Sequence, residues 1–255
     1  MKSNSVDALL FLTIFTFLVT GCRQKPVDVY DGFEGRRLSS IWQTNRMEWH
    51  AFEIQSEKVY KGKSAAKITL RTGDVAEAAT ATDKATERDE LLESESLFSV
   101  EGKKYEYEFN LFLPENFPIV PVRLVIAQWK QDCPFCACSE YNPILAVRYV
   151  SGKLFVTLKT DSVRHILYET NQEIRNKWHN FRFQVRFSRR PDGEIDAFLD
   201  NEKIIAYTGI TSYSESCGLF SDKNKYYFKM GLYRDRMPEP MSIYIDEYRK
   251  RELKE

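Results

Sequence analysis

From residue 104 to residue 248 the chain is a succession of short segments whose apolar residues recur at every second position, and no long stretch keeps a period of 3.6. Segment 104–113, KYEYEFNLFL, sends Tyr105, Tyr107, Phe109 and Leu111 to one side and Lys104, Glu106, Glu108 and Asn110 to the other. Segments 122–129, 144–150, 153–159, 181–187, 195–200, 226–233 and 242–248 also read as strands, separated by turn signals such as Ser151-Gly152 and Pro191-Asp192-Gly193. A strand with one apolar face must bury that face against another sheet. The expectation is therefore an all-β, single-domain sandwich of two antiparallel sheets, a β-jelly-roll with one sheet curved into a concave groove. Residues 72–90, rich in Ala and Thr and poor in large apolar groups, are expected to be a mobile connection or a short helix that delivers the chain to Arg88.

The N-terminus has a different character. After one lysine, the thirteen residues from Ala8 to Thr20 are apolar apart from threonine. A bilayer span needs about 20 such residues, so this is the length of a secretory signal core. It ends in Val19-Thr20-Gly21-Cys22, which resembles a bacterial lipobox; an ordinary signal peptide with a chance cysteine is the alternative. The expected organisation is a lipoprotein signal peptide over 1–21, an anchor and short linker over 22–29 with Cys22 acylated, and the sandwich over 30–255. This places the protein outside the cytoplasm, held on a membrane and facing the periplasm or the cell surface.

In an oxidising compartment Cys133, Cys136, Cys138 and Cys217 read as disulfide candidates, with no connectivity deducible. Zinc is the rival, but C-x2-C-x-C is not one of its usual spacings. With 37 basic and 37 acidic residues the chain carries no net field, so nucleic acid is not expected as a partner, and a monomer is expected.

The strand KYYFKMGLYRD, 225–235, poses a chemical question. Phe228, Met230 and Leu232 form its apolar face, while Lys229, Gly231 and Tyr233 stand opposite: a cation, a gap and a phenol. Taken with ERDEL (87–91), IAQWK (126–130), LAVRYVSGKLFVTL (145–158), KWHNFRFQVRFSRRPDGEIDAFLDNEKI (177–204) and IYIDEY (243–248), the chain resembles the heparin-lyase-I-like and glucuronan-lyase-like polysaccharide lyases over about residues 30 to 250. That resemblance implies a concanavalin-like jelly-roll and cleavage of an anionic, uronate-containing polysaccharide by β-elimination.

The chemistry needs a neutralised uronate carboxylate, a base for the C5 proton and an acid for the departing O4. By resemblance, Tyr233 is the catalytic phenol, acting as base when ionised and acid when not. Arg88 binds the carboxylate and Glu90 holds Arg88. Gln128 and Lys130 are likewise catalytic and help to neutralise the carboxylate; they occupy a motif that in the family usually reads Q-x-H, so a lysine stands where a histidine is expected. Lys229, roughly 13 Å along the face from Tyr233, would contact the substrate one sugar over, and Gly231 would leave room for a pyranose ring. The Lys130 departure leaves two readings: an enzyme that uses Tyr233 for both proton transfers, or a catalytically inactive glycan-binding lipoprotein on the same fold.

Arg148 and Arg234 are further anion-contact candidates. His165 is the histidine expected to be able to reach the groove, whereas His179 and His50 read as structural strand residues and Trp129 as core. The carboxylates of EIDAFLD, 194–200, do not match the spacing of a glycosidase pair and read as a hairpin. No cofactor is required; a structural calcium ion held by Asp31, Glu34 and Asp246 is the one metal considered, against an ordinary role as surface and turn acids.

Overall fold

The computed structural model describes residues 26–43, 47–74, 86–133, 143–161, 164–215 and 223–254. In chain order its strands are β1 (Asp28–Asp31), β2 (Trp42–Gln43), β3 (Phe52–Gln55), β4 (Ala65–Leu70), β5 (Thr86–Glu93), β6 (Ser99–Val100), β7 (Lys104–Phe112) and β8 (Leu124–Asp132). They continue as β9 (Leu145–Val150), β10 (Lys153–Lys159), β11 (Arg164–Thr170), β12 (Trp178–Arg186), β13 (Gly193–Leu199), β14 (Glu202–Gly209), β15 (Lys225–Asp235) and β16 (Met241–Glu252). The two sheets run β14-β13-β12-β7-β16-β4-β3, with β1 beside β16, and β11-β10-β9-β8-β15-β5-β2, with β6 beside β15. The strands within each sheet pair antiparallel, so the expected all-β jelly-roll sandwich is the observed fold.

Each segment read as a strand from alternation is one. Its apolar set meets the facing sheet: Trp129 of β8 and Phe228 of β15 lie 4.8 Å apart between ring centres, and Trp129 packs on Phe183 of β12 and Tyr107 of β7. The hairpin turns follow local chemistry. Ser151 and Gly152 both take positive φ between β9 and β10, as do Asp200 and Asn201 between β13 and β14, the geometry of two-residue turns that match strand twist.

The strands that alternation did not show are short, at edges, or charged. β5 is the important one. Its first five residues, 86–90, fall inside the stretch expected to be a mobile connection or short helix and are strand instead, while residues 75–85 lie outside the described set. Its sequence, TERDELLE, has four acids, yet every residue except Arg88 is buried. Charge suits this interior strand because its glutamates meet cations. Glu87 pairs with Arg234 at 2.9 Å, Glu90 lies 3.6 Å from the Lys229 ammonium, and Glu93 pairs with Lys250 at 2.8 Å.

The Glu93–Lys250 pair sits between the sheets. Lys250 also donates to the Leu97 carbonyl and lies over the Tyr105 and Tyr107 rings, while Glu93 accepts the Phe228 N–H. Burial pushes the Glu93 carboxyl up to about 7 against the pull of Lys250, and burial likewise lowers the lysine. Removing one partner of such a pair leaves a buried charge uncompensated. Lys250→Met is therefore expected to lose about 3–5 kcal/mol of unfolding free energy. Adding Glu93→Gln, which keeps an acceptor for Phe228, should recover about half of that loss. Urea unfolding of the two variants measures both numbers.

Candidate active site

Tyr233 lies on the face of β15 that looks away from the core, and the register sets its neighbours. On one side its backbone partner is Arg88 of β5; on the other it is Val125 of β8, whose own partner is Arg148 of β9. Bulges between Met230 and Tyr233 and between Val125 and Ala127 bring these residues into one row across four strands. The half-buried phenol ring is flanked by two guanidiniums, Arg88 at 4.7 Å and Arg123 at 5.2 Å from its centre. Arg123, just before β8, is held by Asp235, which accepts from its Nε and Nη2 at 3.0 and 2.6 Å.

Arg148 completes the row. Its Nε donates to Thr157 Oγ1 at 3.1 Å, and among the described residues no carboxylate pairs with it. Burial, then the nearby Arg164 and Arg123, lowers it to about 10, while Tyr233 pulls the other way. Arg88 and Arg123 thus flank one tyrosine, with Arg148 across the row and Arg164 near Arg148, an arrangement that favours binding of an anion. Arg123 and Arg164 escaped sequence reading because each becomes part of the site only through pairing between strands distant in sequence.

The second group of expected residues forms a buried cluster behind this row. Gln128 donates to Glu90, and Glu90 faces Lys229, with all three side chains almost fully enclosed. Lys229 is 2% exposed, so the expectation of a direct substrate contact is corrected: burial against Glu90 makes it a support for β5. Gly231 is also reassigned. At φ 147°, a Cβ there would lie 2.3 Å from the Asp89 carbonyl oxygen and 2.7 Å from Glu90 Cα. The gap admits the neighbouring strand's backbone, not a sugar ring.

Three other expectations change. Lys130 pairs in register with Tyr227, six residues and so roughly 20 Å along β15 from Tyr233; a lysine cannot reach from there to the sugar at Tyr233. Arg234 is fully buried, bound to Glu87 and to the carbonyls of Met237 and Glu239, so its role is to close a turn. His165 pairs with the core residue Leu158 and its ring lies 6.0 Å from Tyr207 of the other sheet, so it points away from the groove. His179 is buried with Nδ1 2.7 Å from Asp200. His50 lies 3.2 Å from Asp74, where residues 48–51 bridge β4 and β5. All three histidines of the chain are thus accounted for, and none stands in the Tyr233 row.

Asp31 accepts from Phe33 and Trp42, Glu34 from Lys63 and Ser64, and Asp246 from Tyr60 and Lys61, so each carboxylate considered for calcium pins a loop by its N–H groups. Among the described residues no three metal-ligating side chains converge. Cys133 follows β8 directly and is buried, while Cys22, Cys136, Cys138 and Cys217 fall outside the described residues. No described helix is long and apolar enough to cross a membrane.

A family model described as polysaccharide lyase matches residues 33–249. Among solved structures, the endo-β-1,4-glucuronan lyase of the fungus Trichoderma reesei is similar over 88% of this chain and 95% of its own, at 16% identity and a TM-score of 0.68. The alginate lyase AlgAT5 of polysaccharide lyase family 7 is similar over 82% and 85%, at 12% identity and 0.55. The alginate lyase vAL-1 of a Chlorella virus is similar over 79% and 89%, at 10% identity and 0.52. At these identities the likeness is one of fold. No curated protein matches the chain.

Directly behind Arg88, Asp89 accepts the Glu48 N–H at 2.8 Å. Burial, reinforced by the neighbouring Asp74 and opposed by that Glu48 N–H, pushes its carboxyl up to about 8. The folded protein therefore keeps a proton that the unfolded chain releases above about pH 4, so stability falls as pH rises from there toward 8. Asp89→Asn should flatten this part of the profile and melt higher than the parent at pH 8. Parallel melting curves for the two proteins from pH 5 to pH 9 would refute the assignment.

Proposed function

Because the chain belongs to the polysaccharide lyase family, we propose that its groove cleaves a uronate-containing polysaccharide by β-elimination, with Tyr233 as both base and acid. The observation that carries this reading is the placement of Tyr233 between Arg88 and Arg123 in a row that also holds Arg148 and contains no histidine. The glucuronan and alginate lyases that share the fold are named for uronate polymers.

In this mechanism the arginines bind the carboxylate of the reacting uronate, with Arg88 and Arg123 beside the phenol and Arg148 across the row. Drawing negative charge toward the carboxylate makes the C5 proton removable. The Tyr233 phenolate takes that proton, the C5 electron pair forms the C4–C5 double bond, and the C4–O4 bond breaks. The same tyrosine then returns the proton to O4, which restores the phenolate. The products are a chain ending in an unsaturated uronate and a chain with a free hydroxyl. One group can serve both steps only when C5–H and O4 lie on the same face of the ring, as in glucuronate and mannuronate but not iduronate or guluronate.

The rival reading of an inactive glycan-binding protein rested on Lys130. Since Lys130 lies at the Tyr227 register, its identity bears little on proton transfer at Tyr233. The test is ultraviolet absorbance of the unsaturated product across glucuronan, heparan sulfate, heparin, hyaluronan, chondroitin and alginate. A rise is expected with a glucuronate or mannuronate polymer, lost in Tyr233→Phe and slowed about 10- to 100-fold in Arg123→Ala. Equal turnover of an iduronate-only substrate would exclude the single-residue mechanism, and a flat trace on every polymer would exclude the uronate reading.

We also infer export and anchoring at Cys22, supported by the lipobox-like Val19-Thr20-Gly21-Cys22 and by the short distance in sequence to β1 at Asp28. In bacteria expressing the full chain, labelled fatty acid should enter the parent and not Cys22→Ala; equal labelling of both would end this reading.

A further inference from the structure

The sheet that faces away from the groove has a cleft of its own. It measures about 360 Å³, within the range of small-ligand pockets, roughly 300–1,000 Å³, and lies on the outer face of β7, β12 and β16. A bulge in β16 makes it. The register of β16 on β7 slips between Asp246 and Arg249, and Glu247 at the slip takes φ 54°, a left-handed conformation that costs a non-glycine residue on the order of 1 kcal/mol or more. The Glu247 carboxylate is held there from two sides, by the Tyr30 hydroxyl at 2.5 Å and the Lys61 ammonium at 3.0 Å.

The floor offers hydrogen bonds. Asn110 is 2% exposed, and its Oδ1 accepts from Asn180 at 3.3 Å while its Nδ2 donates to no protein group among the described residues. That amide lines the cleft and is a donor available to a ligand hydroxyl. Glu108 accepts from the Asn180 amide at 3.1 Å and adds a second carboxylate to the cleft. The walls are aromatic. Tyr30 and Tyr60 are 55% and 49% exposed, and the Tyr60 ring stands edge-on to Trp178 with centres 5.8 Å apart.

We propose that this cleft is a second glycan site, one that binds a neutral pyranose of a polysaccharide and takes no part in cleavage. Exposed rings beside an open amide and carboxylates suit a sugar, whose ring face is apolar and whose hydroxyls both donate and accept. The charge balance sets the class: Glu108 and Glu247 are matched by Lys61 and Arg249, in contrast to the arginine row of the groove. An anionic sugar gains nothing here. Because cleft and groove lie on opposite sheets, the cleft can keep the protein on a glycan while the groove is empty or working, which raises the effective concentration of cleavable chain.

The test titrates the full chain with hexasaccharides of glucose, mannose, xylose and N-acetylglucosamine, following heat and the tryptophan fluorescence to which Trp178 contributes. At least one neutral hexasaccharide should bind. Tyr60→Ala should weaken it about tenfold or more, with Glu108→Gln weakening it as well, and the parent fluorescence change should vanish in Trp178→Phe. Cleavage of a short uronate oligomer, read by product absorbance, should stay at the parent rate in Tyr60→Ala, so loss of binding cannot be put down to misfolding. The proposal is overturned if none of the four binds up to about 10 mM, or if binding survives unchanged in both Tyr60→Ala and Glu108→Gln. A uronate hexasaccharide binding at the cleft as tightly as the best neutral one would overturn the charge argument.

Discussion

The fold is organised around an acidic strand buried among cations. Glu87, Glu90 and Glu93 of β5 recur every third residue and meet Arg234, Lys229 and Lys250 respectively. The first two cations belong to β15 and the third to β16 in the opposite sheet. Buried ion pairs add little net stability compared with apolar packing, but each charge left without its partner is costly. A slip of β5 against β15 by one residue would bury several such charges at once, so the pairs hold the register. That register places Arg88 opposite Tyr233.

From this constraint the site follows. Bulges in β15 and β8 shift Tyr233, Val125 and Arg148 into line, and the glycine at 231 lets the β5 backbone approach closely enough for the ladder to continue. The result concentrates positive charge on a chain with none overall. Burial first, and then repulsion from Arg164 and Arg123, lowers Arg148, and both oppose folding. Such repulsion is relieved when an anion arrives, so the strain within the row becomes affinity for an acidic substrate.

The two sheets divide the labour of recognition. One turns an arginine row outward; the other presents aromatic rings, amides and balanced charges around the Glu247 bulge. Glu93–Lys250 lies between them and joins the strand that carries Arg88 to the strand that carries the bulge. Structures that share the fold at 10–16% identity include lyases named for glucuronan and for alginate, which fits a scaffold whose sheets hold while the groove residues change.

Much of this was legible in the residues taken one by one. Two-residue alternation dictated the sandwich, because a strand with one apolar face has to bury it, and it put Phe228, Met230 and Leu232 inside with Tyr233 outside. The motif residues also pointed to Arg88 and Tyr233, which the register confirms as neighbours. What the sequence could not reveal was distance across strands. Lys130, two residues from Gln128, looked close to the chemistry but sits roughly 20 Å along the ladder, while Arg123, more than a hundred residues from Tyr233, stacks on its ring. Nor could composition tell an exposed cation from a buried one: Arg234 and Lys229 became structural, and Arg123 joined the site, only once β5, β8 and β15 had paired. Alternation is a property of a single strand and survives in sequence; pairing register and bulges arise between strands, so the tertiary structure alone decided which charges meet.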